Sequence, residues 1–97
     1  MLLICSSYLN FASFGFLIGH EITHGFDERG KQFDEMGNLH AWWDSETDKK
    51  FQQKIQCMVS QYDNYTLRDI NMSVSGLLSK GENLADNGGL KLALKVR

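Results

Sequence analysis

Large hydrophobic side chains recur along this chain mostly at helical spacing, interrupted by one stretch of short alternation. From Phe11 to Gly25, the residues Phe11, Phe14, Leu17 and Ile18 fall three or four apart. That spacing predicts a first helix with those four side chains as its buried stripe. Gly30 and the pair Gly37-Asn38 bracket Lys31 to Met36, which predicts a short strand closing a hairpin on Leu39 to Trp42. Trp42 and Trp43 come at the strand end, where aromatic residues serve a core more often than a pocket. Asp44 or Ser45 would cap a long second helix whose buried face is Phe51, Ile55, Met58, Val59 and Tyr62. Residues 63–75 follow neither period and read as a loop. A third helix begins near Ser79 and its apolar period runs to the last residues. Asn87-Gly88-Gly89 lies inside it, and since glycine costs about 1 kcal/mol in a helix interior the pattern alone suggests a break there. The fold class expected is mainly α with a small β-hairpin.

Composition narrows the picture modestly. A chain of 97 residues forms one small domain at most, with little interior to bury. A net charge of −2 and 42% hydrophobic residues describe an ordinary globular protein, with no basic stripe for nucleic acid. Asn10, Ser13 and His20 interrupt the N-terminal apolar run, which stays below the roughly 18–20 residues needed to span a bilayer. Met1 to Ser7 has the apolar character of a signal peptide, but no basic residue precedes it and there is no room for cleavage before Asn10. The two cysteines, Cys5 and Cys57, are far apart in the chain. Asn64-Tyr65-Thr66 and Asn71-Met72-Ser73 are glycosylation sequons, consistent with an extracellular face.

His20-Glu21-Ile22-Thr23-His24 changes the reading from shape to chemistry. Two histidines four apart stack on one helix face about 6 Å apart along the axis, so both imidazoles reach one metal ion. Glu21 points about a quarter-turn away, where its carboxylate can hold a metal-bound water without ligating. Zinc brings the pKa of such a water toward neutrality, and the glutamate takes its proton. The alternative is a helix whose histidines are merely hydrogen-bonded near a core. A catalytic zinc site usually has a third protein ligand. His40 sits after a Gly-Asn turn and reads as a surface residue. Glu82 and Asp86 in Gly81-Glu82-Asn83-Leu84-Ala85-Asp86 are better placed, because carboxylates four apart share a helix face. One could bind zinc while the other accepts the free N–H of a ligating histidine, although such a pair alone is often just a solvated face.

The two motifs together resemble the neprilysin family of zinc endopeptidases, which includes endothelin-converting enzyme. Gly19 to Asp27 and Gly81 to Gly89 carry the likeness. Leu9-Asn10-Phe11, Trp42-Trp43, Gln56-Cys57 and Gln61-Tyr62 agree with it, so that it extends over about residues 9–90. The resemblance implies one zinc ion per chain, with His20, His24 and Glu82 as ligands and Glu21 as the base. Asp86 would orient His20, although the family's aspartate at this position is also described as a proton donor. Asp27, three after His24, lies on the same helical side and could support the site. The third helix would continue through its glycines, which let backbones pack closely. The implied fold is part of a thermolysin-like zinc peptidase domain, a zincin.

The resemblance has departures. Ala12-Ser13 stand where the family usually has a glycine pair, Asp27-Glu28 replace two aspartates, and Lys80 replaces an apolar residue. Family members are several times longer, so residues 1–97 would be a single fragment of such a catalytic domain. The family's substrate-holding Asn-Ala motif, transition-state histidine and carboxylate-gripping arginine have no counterpart here. Cys57 matches a family cysteine whose partner is near the C-terminus and is also missing. Implied substrates are short peptides cut on the amino side of apolar residues. The implied location is the cell surface or the extracellular space, with membrane attachment only through an anchor this chain does not contain. Three activities are therefore expected to compete: a zinc metalloendopeptidase, a catalytically silent zinc-binding fragment of one, and a helical interaction module.

Overall fold

In the computed structural model, residues 7–96 are described, so the expectations for Cys5 and for the signal-like start fall outside the described residues, apart from Ser7. Helix α1, Ser7–Asn10, leads into a π-helical turn, Phe11–Gly15, and then into α2, Phe16–His24. The first helix is therefore present and starts before Phe11. Its packed face is not the expected stripe. Phe14, Leu17 and Ile18 are 49%, 51% and 58% exposed, whereas Gly19 is buried and Phe11, Gly15 and Phe16 are half-buried.

Two physical causes account for the difference. A π turn closes i→i+5 and shifts the phase of everything after it relative to a 3.6-residue count. The partner surface is also built from small residues. Gly15, Gly19 and Thr23, four apart, lie against the last long helix, α4, Lys80–Val96. A β-carbon on Gly19 would stand 2.9 Å from the Gly89 Cα, and one on Gly89 would stand 2.7 Å from the Phe16 carbonyl oxygen and 2.8 Å from the His20 nitrogen. The two backbones are in direct contact, which is why α4 runs unbroken through Asn87-Gly88-Gly89. Ala85 and Ala93 are buried on the same helix.

Helix α3, Ser45–Asp63, follows the sequence pattern closely. Asp44 is its N-cap: its carboxylate accepts from the Thr47 backbone N–H at 2.8 Å and from the Thr47 hydroxyl at 2.7 Å. Ile55 and Val59 are buried, and Phe51, Met58 and Tyr62 are half-buried on the same face. Trp43 packs edge-on against Phe51, with ring centroids 5.2 Å apart.

The small hairpin exists, but elsewhere than expected. The stretch from Gly30 to Trp42 contains a 3-10 turn, Gly30–Gln32, and a single antiparallel bridge between Phe33 and Leu39. Asp34 is responsible for the curl: its carboxylate accepts from the N–H groups of Met36 and Asn38 at 3.0 and 2.9 Å, competing with a strand ladder for donors. The two-stranded antiparallel sheet lies inside the segment expected to be loop. Strand β1, Thr66–Leu67, pairs with β2, Met72–Ser73, in the register Thr66–Ser73 and Leu67–Met72. With two residues per strand there is no alternation to read.

The fold is a slab of 46 × 44 × 20 Å with a radius of gyration of 16.1 Å, against about 13 Å for a compact 100-residue domain. A slab this thin has little interior, and among the described residues the buried hydrophobics are Ile55, Val59, Ala85 and Ala93.

Two outcomes are expected. Gly89→Ala should destabilise the chain by roughly 1–3 kcal/mol, because the new methyl meets backbone atoms that cannot rotate away; thermal melting by circular dichroism reads this as a midpoint lowered by roughly 4–8 °C per kcal/mol. Helix propensity alone predicts the opposite sign, so a raised midpoint would contradict the backbone contact. Asp44→Ala should destabilise the chain at neutral pH. The hydrogen bonds from Thr47 hold the Asp44 carboxyl below its ordinary range, so this contribution is present above the unfolded value of about 3.9 and fades as the pH drops through the lower folded one. Acid titration of both chains checks it: the stability gap between them should close on the acid side.

Candidate metal centre

The contact between Gly19 and Gly89 brings two pairs of side chains face to face. His20 and His24 are one turn apart on α2, and Glu82 and Asp86 one turn apart on α4. Across the junction, Glu82 Oε2 lies 3.4 Å from His20 Nε2 and 3.5 Å from His24 Nε2, and the two Nε2 atoms are 3.0 Å apart. The opposite ring nitrogens are each engaged by a carboxylate. Asp86 Oδ1 is 2.9 Å from His20 Nδ1, and Asp27 Oδ2 is 2.8 Å from His24 Nδ1. Ionised carboxylates only accept hydrogen bonds, so both Nδ1 atoms carry protons, and each ring, when neutral, presents its Nε2 lone pair inward.

Three acceptors therefore converge on one point: two imidazole nitrogens and a carboxylate oxygen. Acceptors held this close repel one another unless a proton or a cation lies between them. Ligand atoms on a tetrahedral zinc ion with bonds of about 2.0–2.2 Å stand roughly 3.3–3.6 Å apart; the two Glu82 distances match this, and the two Nε2 atoms, 3.0 Å apart, would part by a few tenths of an ångström to bind it. Among the described residues this is the group of histidine, cysteine and acidic side chains close enough to hold a metal, with one ligand atom from each residue within 4.8 Å of the others. The site is open on the α4 side, where the Glu82 side chain is 69% exposed.

Asp27 contributes more than the sequence suggested. It is only 7% exposed and anchors the turn after α2: its Oδ1 accepts from the N–H groups of Arg29 and Gly30, each at 2.8 Å, while Oδ2 holds His24. Burial pushes the Asp27 carboxyl up, but the hydrogen bonds from Gly30, His24 and Arg29 together bring it below the usual carboxylate range. The His24 imidazole is shifted the other way. The hydrogen bond to Asp27 raises it, partial burial opposes this, and the charges of Glu82, Asp27 and Glu21 add to the rise. Glu21 is exposed and near enough for its charge to act on His24.

His40 stands apart from this cluster, exposed, with Nδ1 3.9 Å from Asp34 Oδ2. Cys57 is exposed and has no disulfide partner among the described residues. Two departures noted in the sequence, Glu28 and Lys80, form an ion pair with each other that ties the turn to the start of α4. Neither residue signalled this alone. An aspartate three after the second histidine with a glycine three further on was the available sign of the turn, since the carboxylate then faces both the ring and two free N–H groups.

The family model described as Peptidase family M13 matches residues 3–97. The chain belongs to peptidase family M13. Neprilysin-2 of Caenorhabditis elegans is 54% identical to this M13 chain over 90 residues, which cover 93% of the chain and 12% of that relative. The crystal structure of PEPO from Lactobacillus rhamnosis superposes with a TM-score of 0.90 at 38% identity, over 97% of the chain and 15% of PEPO. The Mycobacterium tuberculosis zinc metalloprotease ZMP1 gives a TM-score of 0.85, also at 38% identity, over 94% of the chain and 15% of ZMP1. The M13 chain thus spans roughly an eighth of the length of such relatives, and its mainly helical fold with one small hairpin is an M13 fold.

Replacing Asp27 tests the electrostatics of the turn. In metal-free Asp27→Ala the His24 ring should titrate at lower pH than in wild type, because the main group holding its proton is gone, and NMR of the imidazole resonances measures this. An unchanged His24 titration would show that Asp27 does not hold the ring.

Proposed function

We propose that His20, His24 and Glu82 bind one zinc ion per chain, and that with Glu21 they form the reaction centre of a metalloendopeptidase. The observation that carries this reading is the convergence of two Nε2 atoms and one carboxylate oxygen at 3.0–3.5 Å, with both Nδ1 atoms held from behind by carboxylates. A bound zinc ion supplies Lewis-acid chemistry, lowering the pKa of a coordinated water and polarising a carbonyl.

The chain's own residues supply the rest. Asp86 and Asp27 fix the rings of His20 and His24 and their tautomers, so that both Nε2 lone pairs point inward without reorganisation. We assign Asp86 the positioning role rather than proton donation, since its Oδ1 faces a ring N–H at 2.9 Å. Glu21 is next to His20 and leaves the helix about 100° further round, which turns its carboxylate away from the ligand face. There it takes the proton of the attacking water and passes it to the departing amine of a cleaved peptide. Substrates on this reading are peptides, with the amino side of apolar residues as the preferred bond. The setting is the cell surface or the extracellular space, and residues 1–97 form one segment of a neprilysin-like catalytic domain. No described helix is long and apolar enough to cross a membrane.

A second reading has an observation of its own. The slab is only 20 Å thick and the Glu82 side of the site lies open, so these residues by themselves exclude little water and offer few donors to a developing oxyanion. Such donors are worth orders of magnitude in rate. On this reading the chain alone is a catalytically silent zinc binder.

Two measurements on the purified chain separate the readings. Metal analysis should find one zinc per chain in wild type and in Glu21→Gln, and loss of zinc in His20→Ala and Glu82→Ala. Wild type without stoichiometric zinc would overturn both readings and leave a helical interaction module. Asp86→Ala should weaken zinc by about 10–100-fold in chelator competition, and undiminished affinity would remove its positioning role. If peptide turnover is present, Glu21→Gln should lower it by about 10²–10⁴-fold with zinc retained; zinc without turnover identifies the silent binder.

A further inference from the structure

The peptidase reading leaves the 66–73 hairpin without a task, and its turn presents a chemically distinctive group. Asn71 begins the sequence Asn71-Met72-Ser73, and the residue between asparagine and serine is not proline. Asn71 closes the 3-10 turn Arg68–Ile70 in the left-handed region, φ 49° and ψ 44°, a conformation asparagine tolerates better than most side chains. Its backbone N–H is used, donating to the Arg68 carbonyl at 3.3 Å. Its side-chain amide has no hydrogen-bond partner among the described residues, and the residue is exposed. Met72 and Ser73 are exposed as well and held in register by the pairing with Leu67 and Thr66. Ile70, Met72 and Leu67 leave an apolar surface around the turn, of a kind that a covalently attached sugar would cover. The other sequon differs. The Asn64 amide donates to the Ser60 carbonyl at 2.8 Å and closes the end of α3.

We propose that Asn71 is an acceptor for an N-linked oligosaccharide. The donor class is a lipid-linked diphospho-oligosaccharide acted on by a luminal transferase. The Asn71 Nδ2 forms a bond to the anomeric carbon of the first sugar, the bond from that carbon to the diphosphate breaks, and its electron pair leaves with the diphosphate. One amide proton is lost to the transferase. The native turn accommodates the product because the amide projects from an exposed, left-handed position and gives up no hydrogen bond. The inference rests on the extracellular reading above, and the test removes that dependence by supplying the route into the lumen.

The full chain, in an Asn64→Gln background, is fused to a cleavable leader and to a C-terminal tag carrying a control acceptor sequon, then expressed in secretory cells. Glycans are released by amidase in heavy-oxygen water, and peptide mass spectrometry locates the asparagines converted to labelled aspartate. The expected result is label at position 71 and in the control tag. The label at 71 should disappear in Asn71→Gln and Ser73→Ala and persist in Ser73→Thr. A glycosylated control tag with position 71 unlabelled overturns the proposal, and that outcome depends on neither zinc nor peptidase activity.

Discussion

The backbone contact between Gly19 and Gly89 is the constraint on which the rest of the structure depends. A β-carbon on either residue would lie within 3 Å of backbone on the other helix. Without side chains in the way, α2 and α4 approach closely enough for the Glu82 carboxylate on one to meet both imidazoles on the other at 3.4 and 3.5 Å. Thr23 and Gly88 extend the same close packing by a turn, and the Thr23 hydroxyl bonds back to the Gly19 carbonyl at 2.7 Å. Glycines that weaken a helix by propensity are here the condition for two helices to share a site.

Around that contact, electrostatics arranges the groups in shells. Three acceptors face inward, and two carboxylates hold the far sides of the rings. The two carboxylates differ in kind. Asp86 is on α4, exposed and rigid by virtue of its helix, whereas Asp27 is buried in a turn whose N–H groups it also satisfies. The Glu28–Lys80 ion pair then fastens that turn to the beginning of α4, two residues before Glu82.

How much of this was legible in the sequence depended on what kind of signal each part used. Helix α3 was readable in its cap and its buried face, because Asp44 and the positions of Phe51, Ile55 and Val59 are a local pattern of large side chains. Four-residue spacings on helices fix a shared face, which marks His20 with His24 and Glu82 with Asp86 as candidate pairs, whereas the separate roles of Glu82 and Asp86 come from the family resemblance and not from spacing. The packed face of α2 is hidden from such a pattern, since a count of large apolar residues selects Phe14, Leu17 and Ile18 and passes over Gly15 and Gly19. The hairpin was misplaced for a similar reason: Asp34 diverts the N–H groups of the stretch that resembled a strand, and the true strands of two residues each are too short to show a period. The Glu28–Lys80 pair depends on a tertiary approach that no local pattern encodes.

In the proposed site, two imidazole nitrogens and one carboxylate oxygen, from helices joined at Gly19 and Gly89, hold a zinc ion. X-ray absorption at the zinc edge of the loaded chain tests it most directly. The expected spectrum has a shell of nitrogen and oxygen neighbours at about 2.0–2.1 Å, with multiple scattering from two imidazoles and no sulfur. A sulfur neighbour at about 2.3 Å, or scattering from a single imidazole, would contradict it.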